Sequence, residues 1–563
     1  MGKNQPQALG LVIQGSLSEG LEVKLHPDVS VEDMRVGKFL VVQGSRARFF
    51  CLLTDVSLGA SNPRIFTHPP AHDDSFWLEV LAGSDTYGTI KITPMLMLVL
   101  TGGEGERIDF DNIPNLEDLQ LLPVKTIPSH FSQVYESTER DFRCVFGWED
   151  SPGKRNFAIG KPLDMDVPVC IDLDRFVERS NGIFGKSGTG KSFLTRLLIS
   201  GIIRKDAAVN LMFDMHSEYG WEAVSEDKGA SIVKGLKQLF PDRVEIYTLD
   251  VESTRRRGVP YARELYLSYD QIEIEDLRLV SKELGLSEAS LDNANILASE
   301  FGKDWIVTLL NMTNDEIAEF CGERQGHHGS IMALQRKLKR LESLKYMRTS
   351  CPYNYIKEIL ALLDAGKNVV IEFGSQGSLL SYMLVTNMIT RRIHSEYVKK
   401  AERFLHSKNP VDRPRQLVIT IEEAHRFLDS RVVHQTIFGT IAREMRKYFV
   451  TLLVVDQRPS GIDNEVMSQM GTRITCLLND EKDIDAIFTG VSGASSLRSV
   501  LAKLDSKQQA LVLGHAVPMP VVVRTRPYDE QFYKEIADDH WTTKSDEEVF
   551  AAAEAARRDL GQQ

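Results

Sequence analysis

What the chain lacks narrows its reading first. Nowhere in its 563 residues do apolar side chains run for the ~20 positions a helix needs to cross a bilayer. The longest such stretches, Met95 to Leu100 and Leu197 to Ile203, are far shorter. The expectation is a soluble, cytoplasmic protein with no membrane partner. Met1 to Gly10 is polar and carries no targeting signal, and Pro6 spoils an N-myristoylation pattern. Six cysteines are scattered without a Cys-x-x-Cys pair, which argues against both a zinc site and a disulfide framework. His327 and His328 sit near Cys321, but their polar, Gly-flanked context reads as a surface loop. Positive charge does not predominate: 67 Lys and Arg stand against 79 Asp and Glu. A net charge of −12 excludes a protein that coats nucleic acid and leaves room only for local phosphate contacts, such as those lining a channel.

What is present is organised around one stretch. Gly185-Lys186-Ser187-Gly188-Thr189-Gly190-Lys191-Ser192 fits the phosphate-loop pattern of Gly, four residues, then Gly-Lys-Ser/Thr. Ile183 and Phe184 before it read as the end of a buried strand. Phe193, Leu194, Leu197, Leu198, Gly201 and Ile202 after it recur at helical spacing. Glycines in such a turn let backbone N–H groups face a triphosphate, and the helix start adds its own free N–H groups. ATP is the expected ligand, with Lys191 reaching the β- and γ-phosphates and Ser192 holding Mg²⁺.

The length predicts several domains. Short β-branched or alternating runs over residues 1–100 predict a small β-barrel, and the Pro-, Asp- and Glu-rich residues 101–156 a transition segment. The expected fold class is α/β, a mainly parallel RecA-like core in two parts, 157–251 and 356–516. A helical insertion over 252–355 interrupts the core, and residues 517–563 follow it as a C-terminal segment and tail. Arg336, Lys337, Lys339 and Arg340 on the last insertion helix could meet a phosphate backbone, although a solvated helix face is the commoner explanation. Arg255, Arg256 and Arg257 are a similar case.

Three further stretches carry chemistry. The apolar run Ala208 to Phe213 ends in Asp214, with His216 and Glu218 just beyond. These face the ligand crevice if the strand is parallel, or else form an acidic cap. Leu417 to Ile421 ends in Glu422-Glu423. A hydrophobic strand closing on two acids suits Mg²⁺-side binding through water by Glu422 and activation of the attacking water by Glu423. After strand Thr451 to Val455 comes Gln457, a candidate γ-phosphate sensor. Arg443 and Arg446 share a helix face; they are either a charge donor to a neighbouring subunit's site or a solvated helix end.

Taken in order, GKSGTGKS, DMHSEYG, IEEAHRFL, AREMRKYFVTLLVVDQRPS and PVVVRTRPYD resemble the HerA branch of the HerA/FtsK hexameric DNA translocases. The resemblance covers most of the chain and implies a homohexameric ring, ATP between subunits and double-stranded DNA in the central pore. It implies a trans-acting arginine at Arg446, with Arg443 the fallback, and a further arginine at Arg179, twelve residues ahead of Lys191. It also implies a brace from Val521 to Asp529 onto a neighbouring subunit. Many NTPases carry Asp where this chain has Glu422. Relatives work beside a separate effector, a NurA-like nuclease in DNA end processing and repair, or a nuclease or sirtuin-like NADase in anti-phage defence. A nucleotide-switched hexameric scaffold is the alternative function, and a secretion or conjugation ATPase a third.

Overall fold

The computed structural model describes residues 8–61, 80–81, 86–100, 119–224, 232–259, 262–324, 326–351, 353–444, 447–491, 494–505 and 508–537. Arg446 and the tail from Asp538 lie outside these described residues. The chain forms two compact units, one of residues Met1–Leu173 and Thr472–Pro527, the other of Asp174–Gly471 and Tyr528–Gln563.

The first unit opens with strands β1 (Ala8–Ser16), β2 (Gly20–Leu25), β3 (Phe39–Gln43), β4 (Arg48–Ala60), β5 (Thr86–Leu100), β6 (Leu119–Pro123) and β7 (Gln133–Glu136). They pair in the order β2-β1-β7-β3-β4-β5-β6, and an added β2–β5 pairing closes six of them into the expected barrel. Period-two alternation builds it: Leu21, Val23 and Leu25 point inward while Lys24 is exposed. Val23, Leu40, Val42, Leu53, Ile90, Ile92 and Val134 fill the interior. The barrel includes β7, which lies past residue 100 and inserts between β1 and β3. Two further strands, β8 (Asn156–Lys161) and β9 (Val169–Asp172), form an antiparallel pair.

The second unit holds β10 (Asn181–Phe184), β11 (Val209–Asp214), β12 (Val244–Thr248), β13 (Asn368–Glu372), β14 (Leu417–Glu422) and β15 (Val450–Asp456). They run parallel in the order β12-β13-β11-β14-β15-β10. Every residue in the six strands is buried, as a sheet covered on both faces requires. The cover includes helix α1 (Lys191–Arg204), which follows β10, and the 29-residue helix α2 (Leu379–Ser407), which follows β13.

Between β12 and β13 lies the insertion, dominated by helices including Ile274–Leu279, Glu288–Phe301, Trp305–Asn311 and His328–Leu338. The sequence pattern predicts longer helices here than the structure has. Apolar residues at three- and four-residue spacing from Leu291 to Leu310 predict one helix, which Gly302, at φ 56° and ψ −133°, interrupts with a backbone conformation open to glycine at little steric cost.

The chain then re-enters the first unit as β16 (Thr472–Thr475), β17 (Gln509–Gly514) and β18 (Val521–Thr525). The antiparallel order there is β16-β17-β18-β8-β9. The Val521 to Thr525 segment therefore pairs with β17 and β8 of its own chain. No cysteine is in a disulfide, and among the described residues no cluster of His, Cys, Asp or Glu could by itself hold a metal. His327 caps the helix that begins at His328. No described helix is long and apolar enough to cross a membrane.

Candidate nucleotide-binding and hydrolysis site

Strand register lines the second unit's chemical groups along one sheet edge. Phe184 lies opposite Asp456, Glu422 opposite Val455, and Asp214 opposite Glu372. The phosphate loop and both acid pairs thus emerge together at the C-terminal ends of parallel strands, where such sheets form a ligand crevice.

In the loop, Gly188 and Gly190 have φ of 75° and 92°, and a Cβ at either would meet open space. Backbone conformation, not crowding, is what calls for glycine there. Gly190 is the N-cap of α1 and no side chain caps the first turn, so its N–H groups are available to an anion. Thr189 Oγ1 and Lys191 Nζ donate to the Lys186 carbonyl at 2.7 and 2.8 Å, which folds the loop on itself. A cavity of about 310 Å³ lies over it. Ser187, Gly188, Gly190, Lys191 and Ser192 line one side, and Glu422, Glu423, Asp456 and Gln457 another.

Glu422 ends β14 nearly enclosed. Its Oε1 accepts a hydrogen bond from the Tyr219 hydroxyl at 2.7 Å, while its Oε2 is buried without a partner. Burial, reinforced by the nearby Asp214 carboxylate, pushes its carboxyl up to about 8. A cavity lined by a serine and by a buried glutamate with one oxygen lacking a partner suits a hard divalent cation. Mg²⁺ needs only one or two protein oxygens when phosphates and water complete its shell, so Ser192 and Glu422 fit.

Glu423 follows in the left-handed region at φ 48°, which carries its side chain out of the strand's line. Gln457 Nε2 approaches Glu423 Oε1 at 3.4 Å. His425 is fixed by Asp456, whose carboxylate takes both its backbone N–H (2.6 Å) and Nδ1 (3.0 Å). That pairing holds the imidazole above its ordinary pKa despite burial.

Asp214 has a different task from the expected ligand contact. It is fully buried, and its carboxylate accepts the backbone N–H groups of Glu218, Tyr219 and Gly220 at 2.9, 2.8 and 3.2 Å. It shapes the 214–220 loop, and it is His216 and Glu218 of that loop that line the cavity. Sequence reasoning missed Tyr219, whose buried hydroxyl is pushed far up by desolvation and by Glu422 and so stays a neutral donor. It also missed Tyr382, whose hydroxyl bridges the Glu422 backbone N–H and C=O at 2.9 and 3.1 Å. No periodicity or spacing signals either contact; DMHSEYG does place a tyrosine beside the acidic loop.

Arg196 lines the cavity, and Arg443 and Arg179 lie elsewhere. Arg443 ends the helix Ile437–Arg443 and contacts His434 Nδ1 at 2.9 Å, and the Arg179 side chain packs against Gly471. Neither lines the cavity of its own chain. Arg446 is outside the described residues.

The chain is similar to several known proteins. The family model described as the helicase HerA central domain matches residues 157–393, and the HAS barrel domain model matches residues 9–107. The two together span more than half of the chain. A DNA double-strand break repair helicase HerA from Pyrococcus furiosus is 22% identical over 447 residues, covering 74% of this chain and 76% of the relative. The protein of the same name from Sulfurisphaera tokodaii is 26% identical over 418 residues, again covering 74% and 76%. Among solved structures, VirB4 of Thermoanaerobacter pseudethanolicus matches with a TM-score of 0.41 at 14% identity, covering 67% of this chain and 98% of that one.

Proposed function

Since this chain belongs to the HerA family, we propose that it is an ATP-driven motor that moves double-stranded DNA, with ATP hydrolysed in the cavity above the phosphate loop. One observation carries the reading: Ser192, Glu422, Glu423 and Gln457 all line the cavity over the phosphate loop. Lys191 and the free N–H groups of α1 bind the triphosphate. Ser192 and Glu422 would hold Mg²⁺, Glu422 through water, and the cation would supply neutralisation of the phosphate charge. Glu423, exposed enough to meet solvent yet tethered to Gln457, takes the proton of the attacking water. Gln457 thereby senses the terminal phosphate.

The site has phosphate-binding cations of its own but no arginine from its chain's Arg443 or Arg179. That gap supports a homohexamer in which Arg446, or Arg443, completes the neighbour's site. The relatives' names favour DNA break repair. A separate nuclease or NADase effector, in end processing or in anti-phage defence, belongs to the same proposal, as no such chemistry is apparent in this chain's own motifs.

ATP turnover measured against protein concentration, with and without duplex DNA, tests the motor. Turnover per chain is expected to rise with concentration and with duplex. An active monomer indifferent to DNA overturns it. Glu423→Gln is expected to bind ATP and lose about 100-fold or more in kcat, the usual scale for removing a general base. If that variant kept full biological function, the nucleotide-switched scaffold would replace the motor.

A further inference from the structure

Arg196 lies on α1, one helical turn beyond Ser192, and is 2% exposed. Its Nε and Nη2 both donate to the carbonyl oxygen of Glu218, at 3.0 and 2.5 Å. Around its Cζ stand the rings of Phe193, Tyr219 and Tyr528, with centroids 5.3, 5.6 and 6.0 Å away. A guanidinium so enclosed is held by three aromatic faces and spends its planar fork on one carbonyl.

That carbonyl belongs to the 214–220 loop. Asp214 gathers the loop's amides from inside, and Arg196 fastens its outer carbonyl to the helix that carries Ser192. The next residue, Tyr219, donates its hydroxyl to Glu422. The loop therefore joins the serine side of the cavity to the carboxylate side, and Arg196 is the joint on the serine side. Tyr528 brings in a residue more than 300 positions later, from the segment whose helix Glu530–Ala537 also binds α1 through Arg204 Nη1 and the Ile536 carbonyl at 2.7 Å.

We propose that Arg196 is a positioning residue for ATP hydrolysis, which sets the Tyr219 hydroxyl, and through it Glu422, against Ser192. The inference rests on the ATPase reading above. Lysine at this position keeps the charge and its attraction to the rings, but an ammonium cannot reproduce the rigid two-donor fork.

The test uses the full chain and compares Arg196→Lys, Tyr219→Phe and the double variant. Steady-state ATP hydrolysis is measured alongside equilibrium binding of a fluorescent ATP analogue and the thermal midpoint. Arg196→Lys is expected to lower kcat about 10-fold while KM and analogue affinity stay within about twofold, a loss confined to the transition state. Tyr219→Phe is expected to do the same, and the double variant to fall no further than the weaker single, because both act through one contact. A kcat within twofold of the parent, a loss wholly in KM, or fully multiplicative singles overturns the proposal. Should Arg196→Lys unfold, Tyr219→Phe alone carries the same expectation and the same refutation. An inactive parent sinks the ATPase reading itself; an active parent with indifferent variants sinks only this inference.

Discussion

Glu372 closes β13 with a side chain wholly out of solvent, one oxygen paired to Arg257 and the other without a partner. Burial raises its carboxyl most, the Asp214 carboxylate raises it further, and Arg257 pulls it back, leaving it at about 7. A carboxyl raised on folding contributes fully below its unfolded value and loses that contribution as pH climbs through the folded one. The nucleotide-free protein should therefore lose thermal stability between about pH 5 and pH 7, and Glu372→Gln should flatten that decline in a melting series. An unchanged slope would show that the group titrates normally. The same residue illustrates what the sequence could tell. Glu422 and Glu423 were legible because they terminate an apolar run. Arg257 read as one of three basic residues on a solvated face, since its partner lies 115 positions away and only the register of the folded sheet brings β13 to it.

At the scale of elements, the buried parallel strands that end at Phe184, Asp214, Glu422 and Asp456 were legible nearly to their ends, because continuous apolar runs closed by polar residues have few other readings. The insertion was legible as helical but not in its joints. Lys337 on the helix His328–Leu338 and Arg340 in the 3-10 turn after it donate to the carbonyls of Gly285 and Glu283, so the basic cluster there partly serves a helix C-terminus, where positive charge is favourable. Its attachment to the core was invisible. Asp276, fully buried on Ile274–Leu279, accepts from Asn387 Nδ2 at 2.7 Å and from Arg391 Nη2 at 2.7 Å, both on α2. Removing one member of such a set leaves an enclosed charge uncompensated. Asp276→Ala is expected to cost about 3 kcal/mol in denaturant unfolding, with Asp276→Asn costing less because it keeps hydrogen bonds. Equal stability of Asp276→Ala and the parent would remove the anchor role.

For the whole molecule, the two units are interleaved along the chain, each being built from two separate stretches of sequence. The barrel signalled itself through alternation, but its strand β7 did not, since four residues are too few to display a period. Sequence boundaries are consequently poor places to cut. A fragment of residues 174–563 keeps β16, β17 and β18 but removes β8, which pairs with β18 through Arg524 opposite Lys161 and Thr525 opposite Gly160. An unpaired strand edge is a template for aggregation. The fragment is expected to be mostly insoluble on expression where the full chain is soluble, as checked by sedimentation. A monodisperse fragment would mean that β18 does not depend on β8.

The same interleaving constrains how the molecule is made. β8 and β9 leave the ribosome roughly 350 residues before the strand that pairs with β8 has been synthesised, a wait of about 18–70 s at ordinary elongation rates. During that interval the nascent hairpin has one edge vacant. β8 ends at Lys161, which is exposed and paired at 2.5 Å with exposed Asp166, and a charged couple at that position discourages the wrong neighbours while translation catches up.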